Sequence, residues 1–191
     1  MITPTIYLPV FPLPIFLLPG GITRLRIFEP RYLKMISVAS QGQGFVIWLK
    51  DKEEQLANKM WGSWVEIINF DHGEDGILEV DVKCKSLVEL NSINKGDDNF
   101  HYSSVTLLAH WSKTKIKTDV AIDELSTSLS QVFKNNKMLR ELYPEISCDN
   151  PSWVIARWLE LLPIVHTSKN NFVNNYSFEQ AKDFIHTIIY K

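Results

Sequence analysis

The sequence predicts an α+β protein, in which a β-rich part of residues 1–112 is followed by a helical part of residues 113–191. Two observations support this class. Before residue 112, apolar and polar residues alternate in several short runs, which is typical of strands with one buried face. After residue 118, apolar residues recur every three to four positions, as they do along one face of a helix. The period changes once, so we place a domain boundary there.

The first predicted strand lies at residues 6–10 and continues into a proline-rich stretch. Pro9, Pro12 and Pro14 have no N–H group and cannot donate hydrogen bonds to a neighbouring strand. We therefore expect this strand to lie at an edge of the sheet or to be irregular, and not to be a central strand.

A turn and a short helix follow. Pro19 before Gly20 predicts a type II turn, because proline fixes φ and glycine accepts a positive φ. Glu29 before Pro30 places a proline at the first position of a helix. The apolar face of that helix consists of Tyr32, Met35, Ile36 and Ala39.

Further runs predict the remaining strands. Residues 45–49 are continuously apolar, as in a buried strand, and residues 61–70 are rich in aromatic and β-branched residues. Residues 72–76 have the composition of a turn, and residues 78–85 then alternate apolar with charged side chains, which predicts a hairpin with one wet face. Alternation resumes in a last strand that contains Val105, Leu107, Ala109 and Trp111.

Three helices are predicted in the second part, after a connector at residues 113–118. Asp119 is placed to cap a first helix that ends near residue 135, and Asn150 with Pro151 begins a second that stops before Pro163. Ser177 with Gln180 has the spacing of a capping box for the third. The three apolar faces are Ile122, Leu125, Leu129, Val132 and Phe133; Val154, Ile155, Trp158, Leu161 and Leu162; and Ala181, Phe184, Ile185, Ile188 and Ile189.

The order of the motifs in the first 35 residues resembles the opening of the Lon protease N-terminal domain. The similarity rests on the run Leu8-Pro9-Val10-Phe11-Pro12-Leu13 and on a structural motif of Pro19, Gly20, Phe28, Glu29, Pro30, Arg31 and Tyr32. The run from Trp153 to Ile164, which includes Glu-Leu-Leu-Pro, is similar to the helical portion of the same family. The chain departs from the family at Cys84-Lys85-Ser86, where a glycine and an arginine are common.

This resemblance implies a small PUA-like β-barrel or mixed sheet with a short helix, followed by a C-terminal α-helical bundle. In the full protease such a domain engages substrates. The resemblance therefore implies a stand-alone, non-catalytic substrate-binding domain that engages unfolded or partner polypeptides.

Composition argues against several other classes. A net charge of -2 and a pI near 6.2 give no field that would draw nucleic acid or an anionic membrane to the whole surface. The N-terminal residues lack the features of a signal peptide, and no apolar run approaches the length of a membrane helix, so we expect a cytoplasmic protein. Cys84 and Cys148 have no close cysteine or histidine companions, which predicts reduced thiols, a buried Cys84, and no metal site or cofactor.

No catalytic residue is predicted. The sequence has no Gly-rich stretch followed by Lys and Ser or Thr that would cradle a nucleotide phosphate, and it has no room for the ATPase and peptidase modules of a complete Lon protease. It also lacks a Gly-x-Ser-x-Gly elbow. A hydrolytic site assembled only in space would not be visible in a single sequence.

Several polar groups have both a functional and a structural interpretation. Glu29 and Arg31 could bind a peptide end, but their apolar neighbours favour an ion pair that holds the helix to the sheet. Glu74 and Asp75, close to Asp71, could attract a cation, although an acidic turn is more often solvated. The five histidines have no ligand spacing and are expected to be ordinary surface or core residues: His72, His101, His110, His166 and His186.

Aromatic residues supply the candidate binding site. Trp61 and Trp64 are three positions apart in one strand, so a regular strand places them on opposite faces and leaves at least one exposed. With Met60 and Phe70 they would form an apolar patch suited to unfolded polypeptide, because apolar burial is non-directional and tolerates many sequences. The alternative is that Trp61 caps the sheet or packs under the helical part.

Two other functions remain open from the sequence. Trp111 with Lys113, Lys115 and Lys117 could form an aromatic and basic strip for RNA or single-stranded nucleic acid, although the net negative charge of the chain disfavours nucleic acid as a partner. The third hypothesis is a homodimer that uses the aromatic patch as its own interface.

Overall fold

The computed structural model describes residues 6–49, 60–97, 99–111 and 116–190. The chain divides into two compact units, Met1–Leu108 and Ala109–Lys191. The sequence predicts the division after residue 112, whereas residues 109–111 belong to the second unit. Strands lie in the first unit and most helices in the second, so the predicted α+β class is confirmed.

The regular elements follow the predicted change of period. Those of the first unit are β1 (Ile6–Leu13), β2 (Ile22–Ile27), α1 (Pro30–Ser40), β3 (Phe45–Leu49), β4 (Trp61–His72), β5 (Leu78–Lys95) and β6 (His101–Leu108). Those of the second unit are α2 (Val120–Asn135), α3 (Lys137–Leu142), α4 (Pro151–Leu161), α5 (His166–Asn170) and α6 (Phe178–Ile189). The charged residues 51–54 and the first half of the predicted connector, residues 113–115, lie outside the described residues.

The strands form one mixed sheet in the order β2-β5-β4-β3-β1-β6, and an additional pairing of β5 with β6 closes five of them into a ring. Only β1 and β3 run parallel among the described pairings. The long strand β5 makes this closure possible. Its first half pairs with β2 and its second half with β6, while β4 lies along its other side. The strand β2 and the end of β4 therefore extend beyond the ring.

The strand β1 is central, which corrects the expectation that its prolines would place it at an edge. It pairs with β6 through residues 6–10 and with β3 through residues 10–13. Only Val10 has a partner on both sides. Pro9 and Pro12 each have one neighbouring strand, so the nitrogen that lacks a hydrogen can face the unpaired side. The stagger of the two neighbours is what makes a proline-rich strand compatible with a central position.

The predicted turn and helix start are both present. Gly20 has a φ of 81°, and the N–H of Gly21 donates to the carbonyl of Leu18 at 2.9 Å, which is the geometry of a type II turn. Pro30 occupies the first turn of α1. The helix buries Met35, Ile36 and Ala39 as predicted, and the half-buried Tyr32 stacks on Phe11 of β1 with a ring-centroid distance of 4.2 Å.

Glu29 and Arg31 form an ion pair, but it does not hold the helix to the sheet. The distance from Arg31 Nε to Glu29 Oε2 is 2.6 Å, and the side chains are 61% and 40% exposed. Both residues belong to the start of α1, and the guanidinium also lies over the ring of Tyr32. The contact between helix and sheet is made instead by the apolar ring of Tyr32. An exposed pair of this kind contributes little to stability.

Buried aliphatic residues from four strands form a cluster in the sheet. Val10, Val46 and Trp64 are consecutive partners across β1, β3 and β4, so they lie on one face. The half-buried rings of Trp48 and Trp64 pack against this cluster. Its buried members are Leu8, Val10, Val46, Val88, Leu90 and Val105.

Side-chain caps begin two helices of the second unit as predicted. Asp119 Oδ1 accepts from the N–H of Ile122 at 2.9 Å, and Asn150 Oδ1 accepts from the N–H of Trp153 at 3.3 Å. The predicted capping box at Ser177 is wrong, because the hydroxyl makes no cap hydrogen bond. It donates to the carbonyl of Phe172 at 2.7 Å and accepts from the indole N–H of Trp111 at 3.1 Å.

Trp111 does not continue the last strand, which ends at Leu108. The side chain is buried in the second unit, where its ring meets Phe178 edge to face with centroids 5.4 Å apart. The hydrogen bond to Ser177 and this ring contact compete with a strand conformation. Alternation alone could not distinguish the two outcomes, because the partners lie far along the chain.

Candidate functional site

The strand β4 holds Trp61, Trp64 and Phe70, and Met60 directly precedes it. The structure does not bring the four side chains into one patch. Trp61 and Phe70 are nine positions apart, which corresponds to about 30 Å along an extended strand. Trp64 lies in the part of β4 that pairs with β3, and Met60 and Trp61 directly precede that part, whereas Phe70 lies in the part beyond the ring.

At the first end, Trp61 is half buried and its ring meets Phe16 edge to face at 5.7 Å. The neighbouring Met60 is 40% exposed, and its carbonyl accepts from the N–H of Leu90 at 2.9 Å. The backbone of Met60 is thus fixed to β5 while its thioether remains accessible. This end offers one flexible apolar side chain and part of one indole.

The indole of Trp64 is held from two sides. Its N–H donates to the carbonyl of Gln43 at 2.7 Å, and Lys85 Nζ lies 4.1 Å from the ring centroid. Lys85 Nζ also donates to the same carbonyl at 3.3 Å. An ammonium group over an indole is attracted by the ring quadrupole. The residue at which the chain departs from the Lon pattern, Lys85, therefore covers part of Trp64.

No indole of this protein is fully open to water, so the expectation that at least one tryptophan would be exposed is wrong. Three of the six rings are half buried and three are buried: Trp48, Trp61 and Trp64, and Trp111, Trp153 and Trp158. Trp61 packs against Phe16, and the ammonium group of Lys85 covers part of Trp64, so neither ring is fully exposed.

At the second end, Phe70 is 50% exposed and Ile68 is 41% exposed. Phe70 pairs with Val80 of β5, and a β-bulge interrupts the register between Ile67 and Asn69. Sequence reasoning missed Ile68, because strict alternation does not anticipate a bulge that turns an extra residue outward. The signal in the sequence was the adjacent pair of isoleucines, which regular alternation cannot bury on one face.

Beside this end, charged residues of β2 and β5 form a ladder. The guanidinium of Arg24 contacts both carboxylate oxygens of Asp81, at 2.7 and 2.9 Å, and Asn69 donates to Asp81 at 3.3 Å. The hydrogen bond from Arg24 lowers the pKa of Asp81, and the same contact raises the pKa of Arg24. The hairpin face that was predicted to be solvated therefore carries side chains held in ion pairs, and Asp81 itself is buried.

The acidic turn is partly neutralised. Asp75 forms an ion pair with Arg26, which lowers the pKa of the carboxyl, and Arg26 Nε also lies 3.5 Å from Glu79. Among the residues that the structure describes, no group of three or more His, Cys, Asp or Glu side chains is placed to hold a metal ion. This ion pair could not be predicted from the sequence, since Arg26 and Asp75 are distant along the chain.

The outer edge of β4 has no strand beside it over residues 66–72, within the part of the chain that the structure describes. The strand β3 pairs with β4 only from Gly62 to Val65, and the remainder of β4 pairs only with β5. This edge carries Ile68 and Phe70. Backbone donors and acceptors on such an edge are available to another chain.

Cys84 is buried, as predicted, and Cys148 is half buried. Burial raises the pKa of the Cys148 thiol. A raised pKa makes a thiol a poorer nucleophile. Within the described ranges, no helix combines the length and the hydropathy needed to cross a bilayer.

Comparison with known proteins identifies the family. The model of the ATP-dependent protease La (LON) substrate-binding domain matches residues 7–172. The chain belongs to this family. The N-terminal resemblance seen in the Pro19-Gly20 and Glu29-Pro30-Arg31 motifs is thereby confirmed. A search of curated proteins found no match.

Solved structures of Lon N-terminal domains share the fold. A Lon N-terminal domain protein from Xanthomonas campestris superposes with a TM-score of 0.70 at 23% identity, covering 95% of this chain and 98% of that one. The N-terminal domain of a Lon protease from the Mycobacterium avium complex superposes with a TM-score of 0.62 at 11% identity, covering 97% and 100%. At these identities the likeness establishes the fold alone. The Lon-type domain therefore spans nearly the whole chain.

Proposed function

We propose that this chain is a non-catalytic Lon-type substrate-binding domain that holds unfolded or partner polypeptides. The membership in the substrate-binding family supports binding of polypeptide in general. The observation that carries the proposal is the exposure of Ile68 and Phe70 on an edge of β4 that has no neighbouring strand among the described residues. Accessible apolar side chains beside free backbone groups suit an extended chain, because neither contact demands one sequence.

Met60 extends the proposed contact surface, with partial contributions from Trp61 and Trp64. The separation of about 30 Å between Trp61 and Phe70 matches some nine residues of extended polypeptide. A folded partner with a small interface would not require both ends. An unfolded chain that follows β4 would contact both, each contact being weak.

The test is titration of a chemically unfolded model polypeptide with the full chain, followed by fluorescence anisotropy. We expect the double variant Met60→Ser with Phe70→Ser to bind at least about tenfold more weakly, because each loses a large apolar contact. The matched control is Met138→Ser with Tyr176→Ser, which removes exposed side chains of similar size from the second unit. Equal binding by both double variants would contradict the assignment to β4.

A salt series separates this function from nucleic-acid binding. Contacts to phosphate weaken steeply with salt, whereas apolar burial does not. Trp111, the aromatic residue of the nucleic-acid hypothesis, is buried. Lys113 and Lys115 lie outside the described residues. No observation on the described residues favours nucleic acid, and the homodimer reading is tested by the solution mass of the chain.

A further inference from the structure

We propose that an extended polypeptide segment of alternating apolar and basic residues adds as a strand to the outer edge of β4, along residues 66–72. This inference rests on the proposed function and specifies its chemistry. Main-chain hydrogen bonds would provide sequence-tolerant affinity, while Ile68, Phe70 and the acidic residues of the edge would select the segment.

The direction of the backbone groups supports strand addition. The N–H of Gly73 donates to the carbonyl of Ile77 at 2.9 Å, so the backbone N–H of Gly73 points toward β5. Backbone groups alternate in direction along a strand, so those of Asp71 also point toward β5, while those of Phe70 and His72 point outward. These two residues offer two N–H and two C=O groups to an incoming strand.

A hydrogen bond at His72 independently marks this edge. The N–H of His72 donates to Oδ1 of the adjacent Asp71 at 2.8 Å. In the interior of a sheet, that donor would bond to the neighbouring strand. Here the carboxylate of Asp71 accepts the hydrogen bond from this N–H instead. The carbonyl of an incoming strand can replace that carboxylate.

Charge identifies the occupant as a basic segment. Residues 60–77 contain Glu66, Asp71, Glu74 and Asp75 but no Lys or Arg. Of these four, only Asp75 forms an ion pair among the described residues. Asp71 lies opposite Glu79 of β5, whose carboxylate is already paired with Arg24 and Arg26. Glu66 lies opposite Lys83 without an ion pair. A segment with Lys or Arg between apolar residues complements this edge.

The same features disfavour a second copy of this chain as the occupant. Pairing two copies of β4 would bring the acidic residues of both edges together without a Lys or Arg from either strand. The acidic edge is therefore less suited to a second copy of this chain than to a short basic segment.

The probe is a fluorescein-labelled, acetylated and amidated eight-residue peptide of alternating valine and lysine, titrated with the full chain. We expect the same peptide methylated at every backbone nitrogen to bind at least about tenfold more weakly, because it keeps its side chains and charges but loses its donors. A valine and glutamate peptide should bind more weakly by a similar factor. Equal binding by either control peptide would overturn the inference.

A pair of protein variants tests the edge itself. Phe70→Pro removes the outward N–H and places a ring where the incoming strand would lie, whereas Phe70→Ala removes only the side chain. We expect Phe70→Pro to bind the valine and lysine peptide several-fold more weakly than Phe70→Ala, and equal binding would overturn the inference. If Phe70→Pro does not fold, amide exchange on the unaltered chain decides: the amides of Phe70 and His72 should slow on saturation with peptide, and unchanged exchange would overturn it.

The outcomes also separate this inference from the proposed function. If the unfolded model polypeptide binds but the peptide does not, or the methylated peptide binds equally well, strand addition fails while polypeptide binding stands. If neither the unfolded polypeptide nor the peptide binds, the proposed function itself fails.

Discussion

The indole N–H of Trp111 donates to the hydroxyl of Ser177 at 3.1 Å, and both side chains are buried. The hydroxyl in turn donates to the carbonyl of Phe172, at the segment before α6. One small side chain therefore joins the residues that precede the helices to the start of the last helix. Its removal leaves the buried indole N–H of Trp111 without its partner.

We expect Ser177→Ala to lower the free energy of unfolding of the chain by about 1–3 kcal/mol, the cost of burying unsatisfied polar groups. The measurement is denaturant unfolding followed by circular dichroism. Thr187→Ala, which removes an exposed hydroxyl from the same helix, is the control and should change little. Equal stability of the two variants would show that the Ser177 hydroxyl has no structural role.

The pair of Arg24 and Asp81 predicts a dependence of stability on acid. The contact lowers the pKa of Asp81, so its stabilisation is complete above the unfolded aspartate pKa of about 3.9 and is lost as the pH falls towards the lower folded value. We expect Asp81→Asn to reduce the slope of unfolding free energy against pH in that window. Asp183→Asn, at an exposed position of α6, should retain the slope of the unaltered chain.

His110 predicts a second dependence, at milder pH. Burial lowers the pKa of its imidazole to about 4, although a backbone hydrogen bond with Phe172 acts in the opposite direction. Between that value and the unfolded pKa of about 6.5, the unfolded chain binds more protons, so stability should fall as the pH is lowered through this range. In an NMR titration, His110 should remain neutral at pH 5. Protonation there would contradict the prediction.

Gly44 predicts a strong effect of adding one methyl group. Its φ is 83°, and an added Cβ would overlap the backbone carbonyl of Val65. We expect Gly44→Ala to lower the free energy of unfolding by on the order of 2–4 kcal/mol or to prevent folding. Gly42→Ala is the matched control, because its added Cβ meets nothing closer than 3.7 Å. Thermal unfolding of the two variants provides the comparison.

Local features of the fold could be predicted from the sequence. The turn at Pro19-Gly20, the helix start at Pro30 and the caps at Asp119 and Asn150 depend on residues within a few positions of one another. Their physical causes, such as a fixed φ or a carboxylate near free N–H groups, can be read from the chain itself.

Features that depend on distant partners could not be predicted. Ser177 has the spacing of a cap, but Trp111 competes for its hydroxyl from far along the chain. The prolines of β1 indicated an edge, and only the staggered registers of β3 and β6 show why a central position is tolerated. For the candidate site, the sequence indicated β4 and Phe70, while the bulge that exposes Ile68 depends on the pairing with β5.

The ring of strands has a consequence for how the first unit is made in the cell. Ile6 pairs with Val105, so the two strands that complete the ring come from opposite ends of this unit. Closing so long a loop is slow, whereas the β4–β5 hairpin can form from neighbouring residues. During translation, residues 6–9 of β1 therefore have no strand to pair with until β6 has been synthesised.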